Sequence, residues 1–157
     1  MKEFILFLHP ALAIFGVLTA VWVFVEVLNI SGKNRKRINI ASIMTALFMF
    51  FTWVTSGYWY IVYYATDKAI ILKGPWAFAH SLVMESKEHI FFNILVLSLF
   101  LPIVTFRNNL VNSKSARILV LVLVTLIILG SLALEGAGSI ISFAVRIGLL
   151  NNGAVSP

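Results

Sequence analysis

Cysteine is missing from all 157 residues, which excludes disulfides, thiolate metal sites and haem attached through a Cys-x-x-Cys-His motif. Charge is scarce as well, at 11% of the chain, and only six side chains are acidic against twelve that are Lys or Arg. There is no Gly-rich phosphate loop and no Ser/His/Asp arrangement with supporting context, so nucleotide and hydrolase chemistry lack a motif. The Glu-x-x-His pair of di-iron helical bundles is absent too, because Glu88 stands three residues after Glu85. No internal repeat, low-complexity tract or interdomain linker breaks the chain.

What is present is apolar. A hydrophobic fraction of 61% and a mean hydropathy of +0.99 exclude an ordinary soluble domain. The pattern predicts an all-α integral membrane protein, a four-helix transmembrane bundle occupying residues 1–157 as a single membrane domain. The spans are expected at about 4–30, 38–64, 76–106 and 116–134, each long enough to cross a hydrocarbon core of about 30 Å. After Glu135 the sequence GAGS interrupts the pattern, and a short interfacial helix is expected over about 139–150. No small-residue cleavage signature follows MKEFILFLHP, so the first run reads as a retained helix.

The net charge of +6 comes mainly from two short connections, SGKNRKR at 31–37 and RNNLVNSKSAR at 107–117. Such clustering is a topology signal rather than a nucleic-acid surface. It predicts that both loops are cytoplasmic and the N-terminus outside, in a cell membrane. Residues 65–75, ATDKAIILKGP, then form the outer loop. Trp53, Tyr58, Trp59, Tyr60, Tyr63 and Tyr64 read as an aromatic belt at the outer interface. There are more tyrosines than anchoring needs, and the alternative is that some bond to polar groups of the third span. Glu26, beside the first basic loop, reads as solvated.

The third run is the chemical one. WAFAHSLVMESKEHIFFNILVLSLFLPIVTF holds His80, Glu85, Lys87, Glu88 and His89, and ionisable groups at membrane depth are costly enough to mark function by default. On an ideal helix His89 points about 180° from His80 and lies about 13 Å further along, so the two cannot ligate one metal ion. His9 in the first span and His80 in the third are expected at similar depth. Two imidazoles there would suit the axial positions of a haem b, making His9 and His80 the candidate metal ligands. His89 with Met49 is a candidate second site. Glu85, Glu88 and His89 are candidates for handling protons or a quinol beneath it. A purely structural network is the competing reading, with Lys87 beside Glu88 or Glu135.

Together these features predict a small b-type cytochrome-like redox subunit, transferring electrons with quinone or proton handling. The alternatives are a proton, ion or small-solute transporter using Glu85, Glu88 and His89, and a non-catalytic accessory subunit of a larger membrane complex. The expected partners are the lipid bilayer and either further copies of the chain or other membrane subunits, with no nucleic acid.

Overall fold

The computed structural model describes residues 2–154, and the side chains of 3–151. It is all-helical. Helix α1 spans Lys2–Leu28 and α2 spans Arg35–Lys73; a π-helical turn, Ala79–Met84, runs directly into α3, Glu85–Arg107; α4 spans Lys114–Ala154. Four helical segments, Glu3–Leu28, Arg35–Lys73, Ala79–Arg107 and Lys114–Asn151, are long and apolar enough to cross a membrane.

Neighbouring helices run antiparallel, so α2 and α4 are parallel to each other. Helix α1 packs chiefly on α2 and secondarily on α4, while α3 packs on α2 and α4. Among the described residues α1 makes no close backbone approach to α3 or to the π turn. The two therefore occupy opposite corners, with α2 and α4 between them.

Packing rather than water expulsion holds apolar helices together in lipid, so small residues and polar pairs carry the interfaces. Thr45 donates to Thr19 across α1 and α2 at 3.0 Å, and Ser42 and Thr105 join α2 to α3 at 2.9 Å. A methyl group on Gly130 would stand 2.6 Å from Ile94 Cδ1, and one on Gly148 would stand 2.7 Å from Ile70 Cγ2. Both glycines are therefore close-approach points of α4. Large apolar side chains such as Phe7, Ile61 and Leu129 face outward, as a lipid-exposed surface requires.

The ends of the bundle differ. At the basic end, the α1–α2 connection is pinned by Asn34, almost fully buried, whose amide donates to the carbonyls of Glu26 and Asn29 and to the Glu26 carboxylate. Glu26 also pairs with Arg37 at 2.8 Å, so it is an anchored group and not a freely solvated one. At the other, aromatic end, two boundaries differ from those expected. Residues 65–73 are not loop, since α2 continues through Lys73. The short helix expected at 139–150 is not separate, since α4 is continuous from Lys114 through GAGS to Ala154. The glycines there cost about 1 kcal/mol each in propensity, too little to end a helix that has no proline. At Gly148 the missing side chain lets α4 close on the last turns of α2.

Candidate functional site

Cross-helix contacts set the level of every polar group. Phe15 stacks on Phe48 at 5.6 Å and Thr19 meets Thr45, and continuing that register places His9 beside about Thr55 of α2. Met49 against Ser131 and Ile70 against Gly148 place the same level of α2 beside Glu135 of α4. Ile94 against Gly130 and Lys87 against Gly138 bring Lys87 of α3 to it as well. One level thus gathers His9, Lys87 and Glu135 from three helices.

Lys87 is the centre of this group. Its Nζ lies 3.0 Å from where a Cβ on Gly138 would be, so the ammonium reaches across to the backbone of α4, and a side chain at 138 would displace it. From there it acts electrostatically on Glu135, one turn earlier on α4, and on His9 of α1. No ion pair within 4.0 Å joins Lys87 to Glu135 among the described residues. His9 Nδ1 is buried without a hydrogen-bond partner, the Ile5 carbonyl one turn back lying near the ring but outside bonding geometry.

A second polar level stands nearer the aromatic end. The π turn delivers His80 to α2, where its Nδ1 is 3.1 Å from the Tyr64 hydroxyl, and both side chains are buried. Tyr60 stacks on Tyr64 with ring centroids 5.0 Å apart, and its hydroxyl faces Glu88 of α3. Trp59 packs against Tyr64 at 5.8 Å, and its Nε1 is buried without a partner. His80, Tyr64, Tyr60 and Glu88 lie in succession toward the level of Lys87: His80 and Tyr64 share a hydrogen bond, and Tyr64 and Tyr60 are in ring contact.

A scan against protein-family models, a search of curated proteins and a search of solved structures each return no match. The chemistry must be read from the residues alone.

His9 and His80 are not brought together. Along α2 their levels differ by about nine residues, or about 13 Å, and the elements carrying them do not touch. In this arrangement the two rings do not fit the axial positions of one haem, which lie on either side of a single iron. Glu85 and His89 face outward, around a shallow depression of about 420 Å³ lined also by Ser81, Leu82, Ser86 and Ile90. His89 Nδ1 donates to the Glu85 carbonyl at 2.7 Å. Glu88 is exposed as well, and of the trio it acts most strongly on Tyr60. Met49 is fully buried, with its sulfur toward Ser131 at 3.9 Å and its methyl against Gly16, in an environment apart from His89. No group of three or more His, Asp or Glu among the described residues is placed to hold a metal ion.

The sequence presents Lys87 only as a partner for carboxylates and does not reveal its meeting with His9. The signal that finds it is the run of small residues on α4 around Gly138, which lets a long side chain cross the bundle.

Proposed function

We propose that this chain is a small membrane protein that passes protons through the half of the bundle nearer the aromatic end. The His80–Tyr64–Tyr60–Glu88 string carries them to an exchange point formed by Lys87, His9 and Glu135. The observation that carries this reading is the Lys87 ammonium, drawn across the bundle yet without an ion-pair contact among the described residues. Charged groups inside a membrane cost several kcal/mol unless they are paired, whereas polar contacts between spans return only about 1 kcal/mol each. A structural strut would close the pair with Glu135. An open one leaves the amine and carboxylate free to exchange protons with each other and with the orphan Nδ1 of His9. The π turn supports the reading, since single π turns in α-helices recur at functional sites, and this one aims His80 at Tyr64.

The test is proton flux into proteoliposomes carrying a pH-sensitive dye, driven by a potassium diffusion potential. The expected result is flux well above that of empty vesicles, falling on the order of a hundredfold in Glu135→Gln. Flux equal to that of empty vesicles sinks the proposal. So does flux unchanged in both Glu135→Gln and Lys87→Met. The redox reading loses its support with the separation of His9 from His80, and an absorption spectrum discriminates. A Soret band abolished alike by His9→Ala and His80→Ala would restore it.

A further inference from the structure

The basic end carries an open groove that the proton reading does not use. It measures about 510 Å³ and is lined by Gly32, Arg35, Lys36, Asn39, Ile40 and Phe106, between the start of α2 and the end of α3. Three observations give it a chemistry. First, its cations are free: Arg37 is taken by Glu26, but Arg35 and Lys36 form no ion pair among the described residues. Second, the Asn39 amide stands in its wall; its oxygen is closed off from solvent, and an amide N–H is a donor for a phosphate oxygen. Third, Ile40 and Phe106 give the wall an exposed apolar stretch on helices that cross the bilayer.

Two cations and an amide donor select a phosphate, and the apolar stretch selects acyl chain. We infer that this groove binds one anionic phospholipid, with phosphatidylglycerol as the probe. The phosphate lies at Arg35 and Lys36 with the Asn39 amide beside it, and the chains run down Ile40 and Phe106. Basic pockets at the ends of membrane helices recognise phospholipid headgroups in this way. The Ser42–Thr105 bond, one turn further into the bundle, fixes the two walls relative to each other.

Native mass spectrometry of the delipidated full chain, titrated with single lipids, tests this directly. One phosphatidylglycerol should be retained in strong preference to phosphatidylcholine. Arg35→Gln with Lys36→Gln should weaken retention by roughly thirtyfold, about 1 kcal/mol for each cation. Lys114→Gln with Arg117→Gln, in the other basic connection, should leave it unchanged. Asn39→Ala should weaken retention of phosphatidylglycerol and phosphatidic acid alike. Equal losses in the two double variants would show diffuse charge attraction and overturn the site, as would equal retention of phosphatidylcholine. Full competition by glycerol phosphate, which has the headgroup without chains, would move the site to a soluble ligand and overturn the lipid assignment.

Discussion

Lys87 gives the proton reading its sharpest test, because function and stability should move in opposite directions there. Its amine is held among His9, Glu135 and the Gly138 backbone without a closed ion pair. Removing one partner of a closed buried ion pair costs about 3–5 kcal/mol, whereas removing a buried charge that has no closed pair relieves its burial cost. Lys87→Met is therefore expected to raise the thermal unfolding midpoint in detergent while abolishing flux. A lower midpoint would instead mark Lys87 as a strut. Tyr64→Phe makes the complementary case: it keeps the ring stacked on Tyr60 but deletes the hydroxyl bonded to His80. A loss of about 1 kcal/mol is expected from thermal denaturation, with slower flux. Some of this was readable in the sequence. Glu135 was an evident partner for Lys87 because the fourth apolar run ends on it, and the surplus of tyrosines hinted at bonds such as Tyr64 to His80. The sequence puts His9 and His80 at one depth only if the ends of the first and third apolar runs lie level, and in the bundle they do not.

At the scale of elements, the four runs were legible because lipid demands uninterrupted apolar helix, and their charged ends were not. Lys68 and Lys73 read as loop residues in the sequence, but a charged side chain on an exposed helix surface does not disturb the helix, and α2 simply continues. The GAGS stretch misled for the opposite reason, since glycine weakens a helix without ending it. The π turn was beyond reach. Its wider winding rotates everything after Met84 relative to His80, so directions taken from an ideal 3.6-residue wheel fail across it. The glycines of α4 separate propensity from packing. At Gly136 a methyl group would meet nothing within 4 Å, so Gly136→Ala should be neutral or stabilising by up to about 1 kcal/mol. At Gly148 it would also stand 3.0 Å from the Ile70 carbonyl oxygen, which cannot step aside, so Gly148→Ala should destabilise by about 1–3 kcal/mol. Thermal unfolding of the two variants side by side measures the difference, and equal midpoints would mean that α2 and α4 do not meet at Gly148.

For the whole molecule, helix length sets the shape. The 39 residues of α2 and 41 of α4 extend for about 60 Å each, twice the roughly 30 Å of a hydrocarbon core. Their shared overhang lies at the aromatic end, where Gly148 faces Ile70 and Gly74. The absence of native cysteine makes this geometry directly testable by single-cysteine labelling with an impermeant maleimide. Glu3→Cys and Lys73→Cys should label from one side of sealed vesicles, and Lys33→Cys and Asn112→Cys from the other. By the weight of basic residues in 31–37 and 107–117, the second pair is expected to label from the cytoplasmic side. Labelling of Lys73→Cys and Lys33→Cys from one side would break the antiparallel arrangement. Sidedness alone would not separate a helical overhang from a loop, because both are wet. Spin labels at successive positions 66–73 do: collision with a polar relaxant should rise and fall with a period near 3.6 residues if α2 continues as a helix packed on α4. Uniformly high collision rates through that stretch would return it to loop. They would also remove the support that positions Tyr64 against His80.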